Sequence, residues 1–128
     1  MSLRTPLGKF LGHGSAGHGS GHWWLQRLSA VALLPLTVWI VVSFVGLGGY
    51  DYATVTGWMA EPLHAILLAA LLIAMLQHSQ LGLQVIIEDY VHTGWLKVGA
   101  LVMLKLAHAL LGIAGLYAVI VISLRAIS

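Results

Sequence analysis

Along the chain, three long runs of apolar residues alternate with short polar breaks. The runs cover about residues 28–47, 63–87 and 98–124. Each reaches the roughly 20 residues that a helix needs to cross the hydrocarbon core of a bilayer. None shows period-two alternation, and all are far longer than the roughly 10 residues of a membrane strand, so three helices are expected. Their ends are marked. Glycines in "GLGGYDY" close the first run, Pro62 suits the first turn of the second, and "HTGW" separates the second from the third. Trp23, Trp24, Trp58 and Trp95 fall near these ends, where interfacial aromatics collect. Pro35 lies inside the first run, where a kink is expected. Residues 1–22, rich in Gly, Ser and His in their second half, read as a flexible polar arm, and residues 23–128 as a three-helix membrane unit. No long apolar stretch precedes residue 28, so the N-terminus is expected to be retained rather than cleaved as a signal peptide.

Composition agrees with this pattern. Of the 128 residues, 59% are hydrophobic and 8% charged, and the mean hydropathy is +0.94. A soluble domain carries about 25% charged residues, so a soluble globule is excluded and an all-α integral membrane protein expected. There is no cysteine. Disulfides, thiolate metal sites and iron–sulfur ligation by this chain are therefore excluded. The six basic residues are too few and too scattered for a nucleic-acid surface. They report topology instead. Arg4, Lys9 and Arg27 precede the first helix, Lys97 lies between the second and third, and the first connection has only Asp51 and Glu61. The positive-inside rule then predicts a cytoplasmic N-terminus and an outward-facing C-terminus, with Arg125 as the one dissenting charge.

The second run carries the chemistry. On a helical wheel Leu71, Met75, His78, Gly82, Val85 and Asp89 form one stripe. Asp89 lies about 20° round from His78 and about 16 Å further along. An imidazole inside a membrane helix has two readings: a hydrogen-bonding group that ties helices together, or an axial ligand to haem iron. Gly82, one turn on, removes side-chain bulk where a porphyrin plane would lie. Asp89 and Tyr90 also have two readings. They are an ordinary interfacial helix end, or a quinone pocket in which the phenol donates to a carbonyl and the carboxylate relays protons. Glu88 points elsewhere and reads as a solvated charge.

The stretch "HSQLGLQVIIEDY" resembles the haem-and-quinone segment of the smaller hydrophobic membrane-anchor subunit of bacterial succinate dehydrogenase (complex II, succinate:quinone oxidoreductase). That family has a second-helix histidine, a glycine one turn later and an Asp-Tyr pair eleven and twelve residues on, matched here by His78, Gly82, Asp89 and Tyr90. It also has three spanning helices with a cytoplasmic N-terminus. The resemblance runs from about residue 20 to the C-terminus. It implies half of a haem-binding anchor bundle in the bacterial inner membrane, with a periplasmic C-terminus. His78 would be one axial ligand of a haem b, and a sister cytochrome b anchor subunit would give the other. Tyr90 would hydrogen-bond ubiquinone and Asp89 would serve its protons. Arg27, in "HWWLQRLSA", would lie near the haem propionates, although a plain positive-inside anchor explains it as well. FAD and iron–sulfur clusters would belong to a flavoprotein subunit and an iron–sulfur subunit. This chain would catalyse nothing alone.

Other polar residues are weaker candidates. His64 reads as interfacial, and His13, His18 and His22 lie in the arm. His92 is in the second connection. Lys105 and His108 share a face of the third helix with Gly112 and Gly115, and His108 lies at a depth similar to His78, so an intrachain haem clamp is geometrically conceivable. Two alternatives remain open: the anchor of a quinol:fumarate reductase, and a structural or transport subunit without redox chemistry.

Overall fold

The computed structural model describes the backbone of residues 16–128 and, apart from His22, the side chains from residue 21 onward. Four helices follow in order: α1 Ala16–Val45, α2 Tyr52–Ala60, α3 Pro62–Tyr90 and α4 Gly94–Arg125. No strand occurs among the described residues. Three segments are long and apolar enough to cross a membrane: Trp23–Val45, Pro62–Tyr90 and Gly94–Arg125. The 29 residues of α3 make a rod of about 43 Å. That exceeds the roughly 30 Å hydrocarbon core, so the helix tilts or carries its ends into the headgroup layer.

Helix bounds differ from expectation in three places. α1 begins at Ala16, so the last seven residues of the expected arm are helical. Once a helix is nucleated, each further residue adds one hydrogen bond, and this outweighs the roughly 1 kcal/mol cost of each glycine. His13, Arg4 and Lys9, and the side chains of His18 and His22, lie outside the described residues. α4 begins at Gly94 rather than at residue 98, and α1 runs through Pro35 as one helix. The third difference is α2, a helix of 9 residues in the connection expected to be irregular. Asp51 caps it, accepting from the Thr54 backbone N–H at 3.2 Å and from the Thr54 hydroxyl at 2.6 Å. Those donors, the hydroxyl first, hold the Asp51 carboxyl below its ordinary value. Pro62 opens α3 as expected.

α3 is the middle element. It packs antiparallel against α1 and against α4; α2 packs on both α3 and α4, whereas α1 and α4 make no close backbone approach among the described residues. One end of the α1–α3 seam is an aromatic cluster. The Trp58 ring lies 5.5 Å from Trp39, 5.5 Å from Phe44 and 4.6 Å from His64. His64 is tied there through Nδ1, 2.8 Å from the Trp58 carbonyl and 3.4 Å from Glu61 Oε2.

The α3–α4 seam closes on small residues. A Cβ on Gly112 would stand 3.3 Å from Leu76 Cδ1, and one on Gly115 would collide with Leu72 Cδ2. The glycines thus allow the close approach, as small residues do between membrane helices. The interior is slight. Ala74 and Leu81 are the buried apolar residues and Ser29 the buried polar one, while large apolar side chains cover the outside. This inversion suits a chain solvated by lipid and by neighbouring helices.

Candidate functional site

The centre of the α1–α3 seam is polar. His78 Nδ1 lies 3.3 Å from Ser29 Oγ across the two helices, and the same oxygen lies 3.0 Å from the Gln26 carbonyl one turn back on α1. Ser29 is only 6% exposed. Its hydroxyl has one proton. A carbonyl only accepts, so the shorter contact takes that proton and Ser29 donates to Gln26 O. The ring then donates from Nδ1 to Ser29, and the lone pair sits on Nε2. Nε2 has no hydrogen-bond partner among the described residues.

This donor set fits a ring that binds iron. A metal-bound imidazole parks its other N–H on an oxygen, which fixes tautomer and orientation. No group of three or more His, Cys, Asp or Glu side chains that could hold a metal ion occurs among the described residues. Gly82 adds room. A Cβ there would meet nothing within 4 Å, so the space beside the helix one turn below His78 is open. His78 and Gly82 together offer a nitrogen and a flat, uncluttered flank.

His108 shares that tautomer, but both of its nitrogens are engaged. Its Nδ1 is 2.9 Å from the Leu104 carbonyl, so that nitrogen carries the proton. Its Nε2 is 2.9 Å from Ser79 Oγ, closer than the 3.2 Å from that oxygen to the Leu76 carbonyl. The serine therefore donates to the lone pair. Both nitrogens are engaged, and His108 ties α3 to α4. The geometry that made an intrachain haem clamp conceivable is used for packing instead. Lys105 borders a groove of about 300 Å³ with Gln77, Gln80 and His108. It makes no ion pair with any described residue.

Asp89 and Tyr90 stand at the last turn of α3, both exposed, Tyr90 by 78%. Neither side chain hydrogen-bonds to a described residue. Arg27 is also exposed. Its guanidinium carbon lies 5.2 Å from the centre of the Trp23 ring, a cation–π distance, and no carboxylate of this chain pairs with it among the described residues. The helices therefore bring His78 against α1 but leave Arg27, Asp89 and Tyr90 as open polar groups. His92 is exposed in the short connection after α3.

Sequence reasoning missed three features. Ser29 and Ser79 each partner a histidine on another helix, and nothing local in the sequence marks them. The third is a row of Gln77, Gln80, Gln84 and Glu88, whose helical spacing could have revealed it. Within it Gln84 Nε2 donates to Glu88 Oε1 at 3.1 Å, so Glu88 is bonded along its own helix. Gln26 Oε1 and Gln84 Oε1 are both buried without a donor. The antiparallel register set by Ser29 and His78 puts Gln26 near the turn that leads to Gln84.

Residues 1–122 match the family model described as the succinate dehydrogenase/fumarate reductase transmembrane subunit. The chain is 32% identical over 117 residues to the succinate dehydrogenase hydrophobic membrane anchor subunit of Rickettsia bellii, covering 91% of this chain and 94% of that protein. It is 28% identical over 127 residues to the protein of the same name from Paracoccus denitrificans, covering 99% and 98%. A match extending over nearly the whole chain, onto three apolar spans in the expected order, leaves one conclusion: the chain belongs to the family of succinate dehydrogenase/fumarate reductase transmembrane subunits.

Proposed function

We propose that this chain is the smaller hydrophobic membrane anchor of a succinate:ubiquinone oxidoreductase, and that it provides one haem b ligand and part of the ubiquinone site. The observation that carries the reading is the His78 ring, with Nδ1 satisfied by Ser29 and Nε2 free beside the open flank of Gly82. His78 would hold the haem iron through Nε2, and a sister cytochrome b anchor subunit would supply the second ligand. Arg27, unpaired among the described residues, faces the propionates. The chemistry a b-type haem supplies at this position is one-electron storage beside the quinone.

Tyr90 donates its phenolic proton in a hydrogen bond to a quinone carbonyl, and Asp89 beside it relays protons. Ubiquinone takes two electrons and two protons to become quinol. The electrons come from succinate, oxidised on FAD in a flavoprotein subunit, through the clusters of an iron–sulfur subunit. This chain, without cysteine, holds no such cluster. The charge bias supports an inner-membrane orientation with the N-terminus and the α3–α4 connection in the cytoplasm, and α2 and the C-terminus in the periplasm. The relatives' names favour succinate oxidation over the fumarate reductase direction that the family description also covers.

The test is an optical spectrum of the complex isolated through this chain in mild detergent, before and after succinate, for wild type and His78→Ala. A b-type band that sharpens with succinate in the wild type and is lost or altered in the variant is expected. An unchanged band in His78→Ala removes the ligand role. No haem with all partners retained favours a structural or transport role.

A further inference from the structure

We propose that Ser29 is a positioning residue for His78: its oxygen accepts a hydrogen bond from Nδ1–H of the ring and so makes Nε2 the nitrogen that faces the iron. The inference rests on the haem reading above and adds to it the device that selects the ligating atom. Two neutral tautomers of imidazole are close in energy, and in a membrane interior no water is present to exchange them freely. A fixed acceptor at Nδ1 therefore decides which nitrogen carries the lone pair.

The geometry makes Ser29 that acceptor. Its hydroxyl is committed to the Gln26 carbonyl at 3.0 Å, the shorter of its two contacts, so the oxygen meets His78 at 3.3 Å with a lone pair. Ser29 is also the buried polar residue of the described chain. Without His78 its remaining lone pair would have no partner in the buried seam, and such a group is costly to bury. The Ser79–His108 pair is an internal control. There the ring proton goes to the Leu104 carbonyl, and the serine donates to the ring. Both rings thus carry the proton on Nδ1, and they differ in whether a serine hydroxyl meets the lone pair on Nε2. One arrangement seals the ring, and the other leaves one nitrogen free to bind.

An oxygen that accepts from Nδ1–H makes the imidazole a stronger donor through Nε2, which favours the oxidised iron. Removing it should raise the midpoint potential of the haem. The experiment is a redox titration and a low-temperature EPR spectrum of the whole complex carrying Ser29→Ala, Ser29→Thr or His78→Ala. Ser29→Ala is expected to keep haem, shift the potential upward and change the low-spin EPR signal. Ser29→Thr, which retains a hydroxyl able to bond the i−3 carbonyl, is expected to match the wild type.

A haem-loaded Ser29→Ala complex with wild-type potential and EPR signal overturns the inference while leaving the haem reading intact, provided His78→Ala loses the normal spectrum. Equal displacement in the Ala and Thr variants also overturns it, because volume rather than the hydroxyl would then matter. If Ser29→Ala loses haem altogether, Ser29→Thr decides: haem at wild-type potential supports the role, and loss in both removes it. A normal spectrum in His78→Ala overturns the haem reading and this inference with it.

Discussion

Ser79 on α3 and His108 on α4 meet across the helix seam, Oγ to Nε2 at 2.9 Å. With Nδ1 held at 2.9 Å by the Leu104 carbonyl, the ring has no nitrogen left for iron. His108→Ala should therefore leave the haem spectrum of the complex unchanged. It should cost about 1 kcal/mol of stability, the usual size of an interhelical hydrogen bond in a membrane. A thermal melt of the purified complex alongside its optical spectrum checks both points. Loss of haem on this substitution would reinstate His108 as a ligand.

Gly115 and Gly82 should behave differently when enlarged. At Gly115 a Cβ collides with the end of Leu72. Alanine asks only a rotamer change of Leu72, but Gly115→Leu must part α3 from α4, at about 1–3 kcal/mol for overpacking. At Gly82 the neighbouring space is open within the chain. Gly82→Leu should leave helix content intact and reduce haem incorporation, because the bulk enters the proposed porphyrin flank. Circular dichroism and haem-to-protein ratio separate the two cases. Wild-type haem content in Gly82→Leu would remove that glycine from the site.

Tyr90 is 78% exposed in this chain and makes no hydrogen bond to a described residue. Tyr90→Phe should therefore leave the fold undisturbed. If the phenol donates to the quinone, the lost bond should lower ubiquinone reductase turnover about tenfold, which corresponds to about 1.4 kcal/mol. Succinate oxidation by a soluble dye acceptor should continue at the wild-type rate. Equal loss in both assays would indicate damage to assembly rather than to the quinone site.

The Asp51 cap gives α2 a pH dependence. The donors on Thr54 hold the carboxyl below its ordinary value, so its contribution is fully present above the unfolded carboxylate value. It disappears as pH falls through the lowered folded value. After correction for intrinsic exchange, protection of the Thr54 amide should fall on acidification in the wild type. It should be low at all pH values in Asp51→Ala, and high and pH-independent in Asp51→Asn. An Asp51→Ala exchange rate equal to that of the wild type at neutral pH would show that the cap does not hold α2.

The three spans were legible because the physics behind them is local: length, hydropathy and end signals lie next to one another in the chain. α2 was not. "DYATVTGWMA" mixes glycine and β-branched residues, which read as a break, and its Asp51–Thr54 cap becomes significant only once a helix is in view. His78, Gly82, Asp89 and Tyr90 stood out by spacing along one helix. Ser29 did not, because its importance depends on the register of α1 against α3, 49 positions away in sequence. Ser79 and His108 are 29 apart, and the same argument holds. Spacing places residues on one helix. It does not tell which residue of another helix arrives opposite.

The placement of α3 between α1 and α4, which make no close backbone approach among the described residues, has a thermodynamic consequence. The two seams are joined through α2, whose Trp58 reaches Trp39 and Phe44 of α1 and which packs on both α3 and α4; away from α2 the stability of the chain approaches a sum of two nearest-neighbour terms, as in a short repeat array. A change on the α1 side and a change on the α4 side should then combine additively. Away from α2, the serine–histidine seam between α1 and α3 can loosen while the glycine-lined seam stays closed, so the two long joints turn on one axle.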